Sequence, residues 1–185
     1  MSANEAQTGD RAPTMAPPGQ PLDDTEYRQA SEWLYREAGL LARRDYDAWL
    51  ALLAPELHYR VPMQQFGKRG EAREYGDNPA WLDETRDTLA VRCAQLRHPL
   101  SNADRVPSFL RYFVTNIEGT REGQTLRLSS QVLLLRVRAN NPQPFLLSGE
   151  RHDRLRPGGA GWLLAEREVQ LDMPYLDAPN LALFI

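Results

Sequence analysis

Apolar residues recur at helical spacing up to about residue 97, and after residue 105 they alternate with a period of two. The first run, Tyr27, Ala30, Leu34, Ala38 and Leu41, predicts one buried helix face. Asp23, Asp24 and Thr25 supply its cap and first-turn negative charge, and it closes near Arg43. Asp45 opens a second, short helix carrying Tyr46, Trp49, Leu50 and Leu53, with Pro55 just past its end. Leu57, Tyr59 and Val61 then alternate with His58 and Arg60 in an extended piece ending at Pro62. Residues 63–78 are polar, with Gly67, Gly70 and Gly76, and predict a loop. Asn78-Pro79 reads as a cap followed by a first-turn proline. The helix it opens runs to about Arg97, turns Leu82, Thr85, Leu89, Cys93 and Leu96 inward, and stops at Pro99.

Four long strands follow: Pro107 to Glu118, Gln124 to Ala139, Phe145 to Arg156 and Trp162 to Met173. Gly119 and Gly123, then Asn140-Asn141-Pro142, then Pro157-Gly158-Gly159 mark the turns between them. Short turns between long strands make antiparallel neighbours. Helices first and a strand meander afterwards predict an α+β fold, its N-terminal helices packed on a strongly curved, mostly antiparallel sheet. The apolar ending Asn180-Leu181-Ala182-Leu183-Phe184-Ile185 predicts docking on this sheet or on a neighbour.

Ahead of the helices, residues 1–21 hold Pro13, Pro17, Pro18 and Pro21 among small and polar residues. Such a tail is disordered or lies extended across a partner, which leaves residues 22–185 as a single domain. A net charge of -3 gives no field for nucleic acid or anionic lipid. No stretch approaches the ~18 apolar residues of a membrane span. The start carries no basic segment followed by an apolar run, and the single cysteine fits a reducing cytoplasm. Lys68 is the only lysine, a bias that a GC-rich genome explains better than a preference for forked arginine pairs.

Much familiar chemistry is missing. The three histidines, His58, His98 and His152, share no ligand spacing, and one cysteine excludes a Rieske cluster, which needs two Cys and two His. There is no phosphate-binding glycine loop and no nucleophile elbow. Cys93 reads as a small buried hydrophobe. Polar groups concentrate in Glu150-Arg151-His152-Asp153-Arg154-Leu155-Arg156, which alternates charge onto both strand faces, with Arg167 and Glu168 across the turn. A solvated face of ion pairs and a subunit interface both account for it. Asp45 and His98, with Tyr46 or Tyr59, compose a general acid/base set for a stand-alone isomerase or dehydratase; capping of helix ends accounts for the same two residues.

Four segments, in order, resemble the β subunits of aromatic-ring-hydroxylating dioxygenases. They are Asp45 to Leu53 with Tyr59 and Pro62; Pro107-Ser108 with Arg111 to Ile117; Gly149 to Arg156 with Trp162, Arg167 and Leu171-Asp172; and Asn180-Leu181 with Phe184. Phe109 departs from the arginine common after the proline-serine pair in biphenyl-type members. The resemblance implies a cone shared with ketosteroid isomerase and scytalone dehydratase, of the cystatin-like or nuclear-transport-factor-like type. It implies a non-catalytic assembly subunit of an enzyme that adds O2 to an aromatic ring to give a cis-dihydrodiol. It further implies a cytoplasmic hexamer of three α and three β chains, with the Rieske two-iron two-sulfur cluster and the mononuclear iron in the α subunit and none in this chain. Arg111, Asn116, Arg151, Asp153, Arg156 and Asp172 are the implied structural and interface residues.

Overall fold

Asp23 opens helix α1 (Asp24–Arg43) with a capping box. Its carboxylate accepts from the backbone N–H groups of Thr25 and Glu26 at 2.9 and 2.8 Å, and Glu26 reaches back to the Asp23 N–H at 3.1 Å. Arg44, left-handed at φ 58°, ends the helix by donating its N–H to the carbonyls of Leu40 and Leu41. Ala30, Leu34, Ala38 and Leu41 are buried as their spacing predicts, together with Trp33, Glu37 and Leu40. Tyr27 is 46% exposed, because the whole first turn stands outside the cover that later turns receive.

A computed structural model describes residues 19–63, 79–98, 107–159, 161–173 and 183–185. Of the expected tail of residues 1–21 the part up to residue 18, of the expected loop of residues 63–78 the part from residue 64, and the stop at Pro99 lie outside the described residues.

Two boundaries differ from expectation. Helix α2 (Tyr46–Leu50) stops before Leu53, which already begins strand β2 (Leu53–Pro62). Pro55 therefore lies inside a strand, in the stretch between Leu53 and His58 where the register to its neighbour shifts, so its missing N–H removes no ladder bond. The helix expected from Pro79 begins only at Arg86. Ala80–Thr85 is instead strand β3, antiparallel to β2 from His58↔Thr85 to Val61↔Leu82. Thr85 then caps α3 (Arg86–Arg97) by a reciprocal box with Thr88, and Leu89 and Cys93 form its buried side.

The four predicted strands are β4 (Ser108–Glu122), β5 (Thr125–Arg138), β6 (Asn141–Gly158) and β7 (Gly161–Leu171). Gly119 lies within β4; the turn falls at Gly123, whose φ of +62° suits glycine. The short strand β1 (Gln20–Pro21) pairs with β4 at Thr120 and Arg121. The sheet order is β1-β4-β5-β6-β7-β2-β3, antiparallel except where β2 joins β7 in parallel. The sheet curls without closing, and the helices pack on it. Gly149 permits the tight passage of β6 by β7, since a Cβ there would lie 2.6 Å from the Gln170 carbonyl oxygen. The core joins Leu34 and Leu41 of α1, Trp49, Tyr59, Val132, Leu134 and Leu147 to Leu183, Phe184 and Ile185.

Candidate functional site

Strand alternation turns Arg151, Asp153 and Arg167 toward α1, which supplies Glu37 from its buried face. Arg167 grips Glu37 with two bonds of 2.8 Å and Asp153 with bonds of 2.7 and 2.8 Å. Arg151 donates to Glu37 and to Ser130 at 3.3 Å, and the Trp49 indole donates to Glu37 at 3.1 Å. None of the four charged side chains is more than 1% exposed. Burial and the neighbouring Arg167 lower the pKa of Arg151. Burial also opposes the charge on Arg167, but Asp153 and Glu37 outweigh it and raise its pKa. With two guanidiniums against two carboxylates, each charge has a partner, the condition under which ions survive burial.

The last described residues complete this interior. The Phe184 ring stacks on Trp49 with centroids 4.6 Å apart and meets Tyr46 edge-on at 5.7 Å. The Tyr112 hydroxyl donates to the Phe184 oxygen at 2.7 Å, and Arg167 donates to the Ile185 oxygen at 3.2 Å. Leu183, Phe184 and Ile185 of the apolar ending thus dock on this subunit's own interior, and Asn180 to Ala182 lie outside the described residues.

Of the six residues implied by resemblance, Arg151 and Asp153 lie in this interior. The inner face of their strand is buried in the fold, whereas Arg154 and Arg156 of the other face pair with Glu166 and Glu56 at the surface. The other four lie at the surface. Arg111 is exposed and donates to the Leu110 carbonyl at 3.0 Å. Asn116 occupies the β4 bulge at φ 51° and donates to Gln131 at 2.8 Å. Arg156 is half-buried and pairs with Glu56, and Asp172 is exposed, its N–H bound to the Ser148 carbonyl at 3.0 Å.

The sheet face turned away from α1 is divided in two. At one end, Phe109, Phe113, Leu133 and Leu146 are adjacent through the registers Phe113↔Leu133 and Leu135↔Leu146, and are 38% to 67% exposed. At the other end, Arg60, Arg127, Arg154, Glu166, Glu168, His58 and His152 line an open cleft of about 730 Å³. Its charges are paired, as in Arg60–Glu168, Arg154–Glu166 and Arg127–Glu122.

Asp45 and His98 do not meet in a pocket. Asp45 is exposed and caps α2 by accepting from the Ala48 N–H at 3.3 Å, while His98 is the exposed C-cap of α3. Cys93 is fully buried, and burial pushes its thiol up to about 11. Among the described residues, no three His, Cys, Asp or Glu side chains are placed to hold a metal ion. His58, His152 and His98 belong to β2, β6 and the end of α3, and the single cysteine rules out a Rieske cluster.

Residues 36–178 match the model of the family described as ring hydroxylating beta subunit. The chain belongs to that family. Relatives of this β subunit include the biphenyl 2,3-dioxygenase subunit beta of Rhodococcus jostii strain RHA1, 28% identical over 89% of this chain and 91% of the relative. The benzene 1,2-dioxygenase subunit beta of Pseudomonas putida is 30% identical over 84% and 87%. Among solved structures, a chain of naphthalene 1,2-dioxygenase with indole bound in its active site superposes with a TM-score of 0.79 at 25% identity, covering 89% of this chain and 88% of that one. A scytalone dehydratase-like protein of Novosphingobium aromaticivorans shares the fold at a TM-score of 0.60 and 14% identity, over 80% and 85%. As a β subunit the chain is part of an aromatic-ring-hydroxylating dioxygenase. The stand-alone isomerase or dehydratase reading is not favoured.

Sequence reasoning missed Glu37, the one helix residue on which the interior charges converge. Its signal was present: Ala30, Leu34, Glu37 and Leu41 share one helical stripe, so a carboxylate there is bound for the core.

Proposed function

We propose that this β subunit is an assembly scaffold that joins two further copies of itself and three α subunits in a cytoplasmic hexamer. The complex would dihydroxylate an aromatic hydrocarbon, the class named by the biphenyl and benzene relatives. One observation carries the reading: the cone interior is filled by Glu37, Arg151, Arg167, Trp49 and Phe184, and Asp45 and His98 lie outside it. The interior is thus committed to holding the fold, leaving surfaces for function. The exposed apolar end of the sheet supports assembly as that function, because contiguous apolar patches on soluble proteins mark contact sites. Arg111, Asn116, Arg156 and Asp172, all at the surface, are our choices for contacts between subunits.

Native mass spectrometry of the chain co-expressed with the α subunit tests this. A single species of three α and three β chains is expected, and a β chain that stays free in the presence of α would refute it.

A further inference from the structure

Two surface features of this chain match each other in charge and in spacing. The first is the apolar end of the outer sheet face. Phe109, Arg111 and Phe113 alternate along β4 and are all exposed, so the Arg111 side chain stands between two phenyl rings. Among the described residues Arg111 bonds the Leu110 carbonyl and pairs with no carboxylate. At the charged end of the same face, by contrast, Arg60, Arg127 and Arg154 each have a carboxylate. Water satisfies Arg111 while the patch is bare. A surface that covers the two rings must also bring Arg111 an anion.

The second feature is the outward face of α3. That helix buries Leu89 and Cys93 and turns Asp87, Val91 and Ala94 to solvent. Val91 is 57% exposed, and Asp87 pairs with no cation among the described residues. The helix dipole favours an acid in this first turn, which accounts for Asp87 but not for the apolar residues beside it. Asp87 and Val91 are one turn apart, about 5–6 Å between Cβ atoms. Arg111 and Phe113 are spaced about 6.7 Å along their strand. The helix stripe therefore sets over the strand with Asp87 on Arg111 and Val91 beside Phe113 and its register partner Leu133.

The two features cannot meet within one chain. α3 packs on β2 and β3 at one edge of the sheet and sends Leu89 and Cys93 into the core. The exposed stripe belongs to β4, with β5, β6 and β7 between it and β2, and it points away from the core. Two different surfaces joined from copy to copy make a heterologous contact, the kind that closes into rings. We propose that the β4 stripe of one copy receives the α3 face of the next, with Asp87 paired to Arg111 across the contact, and that three such contacts close a ring of β subunits. This rests on the three-copy assembly proposed above and names the surfaces that build it.

The test is sedimentation of the full-length chain without the α subunit at micromolar concentrations. Wild-type is expected to form a trimer. Asp87→Arg and Arg111→Asp should each raise the dissociation constant about tenfold or more, and the two together should return it to within about threefold of wild-type. A wild-type chain that stays monomeric or stops at a dimer, single reversals that associate like wild-type, or a double variant no better than the singles overturns the proposal. Should Asp87→Arg not fold, Val91→Arg, which sets a second cation beside Arg111 and leaves the first turn intact, takes its place; a folded V91R that associates like wild-type overturns the contact equally. Co-expression with the α subunit separates this contact from the wider assembly role. A wild-type chain that joins α, but whose self-association is unchanged by both reversals, leaves that role standing and removes the contact.

Discussion

Arg167 of β7 and Glu37 of α1 form a bidentate pair, both bonds 2.8 Å and neither side chain exposed to solvent. The pair pins the helix to the sheet at a point where apolar packing alone would allow sliding. Removing one partner leaves the other buried and uncompensated, at a cost of about 3–5 kcal/mol. Glu37→Ala should therefore shift the urea midpoint strongly downward. Arg156→Ala, which breaks a solvent-facing pair with Glu56, should leave the midpoint nearly unchanged. Equal shifts for the two variants would remove the interior network from the account.

Tyr59 and Tyr112 give the fold an alkaline limit. Burial raises both phenol pKa values, Tyr112 the more strongly, and for Tyr59 it outweighs the opposing pull of Arg167. The folded chain thus holds these protons more tightly than the unfolded chain does. Stability is intact below the ordinary phenol value near pH ~10 and falls as pH rises from there through the folded values. In an ultraviolet titration, Tyr59 and Tyr112 should stay protonated until the chain unfolds. Ionisation of every tyrosine in a folded chain would contradict this.

Asn116 stands at φ 51° where β4 bulges between Thr115 and Glu118. Asparagine tolerates this left-handed geometry, and a β-branched residue does so poorly. Asn116→Val should cost about 1–2 kcal/mol, while Asn116→Gly stays near wild-type. Thermal unfolding of the two variants distinguishes them, and a valine variant as stable as the glycine one would argue against the bulge.

Phe113 is 53% exposed at the centre of the apolar end of the sheet. Phe113→Asp should leave circular dichroism intact and reduce the native mass of the assembled complex. Full-mass complex at low micromolar concentration would exclude this patch as a contact.

Most of the architecture was legible because its signals are local. The period-two alternation from residue 108 onward gave all four long strands, and the cap groups at Asp23, Asp24 and Thr25 with the stripe from Ala30 to Leu41 gave α1. The strand β3 was misread because Asn78-Pro79 imitates a helix start and only Leu82 of β3 is buried, so its single inward position matched the stripe of Leu89 and Cys93. The Thr85–Thr88 box was the competing local signal. The interior site was half legible. Arg151 and Asp153 stood out as charges on a strand face that should be apolar. The Glu37 that pairs with Arg151 is more than a hundred residues away, and no local pattern links a helix to the strand it will cover. The same distance hides the contact of Ile185 with Tyr59.

The central claim, that this β subunit supports an α subunit and performs no chemistry itself, is tested most directly by turnover of an aromatic hydrocarbon with reconstituted protein. The measurement compares the chain alone, the wild-type complex, and a complex carrying Asp45→Asn with His98→Ala. No turnover by the chain alone and equal kcat for the two complexes is the predicted result. Turnover by the isolated chain, or a lower kcat in the double variant with native mass unchanged, would contradict it.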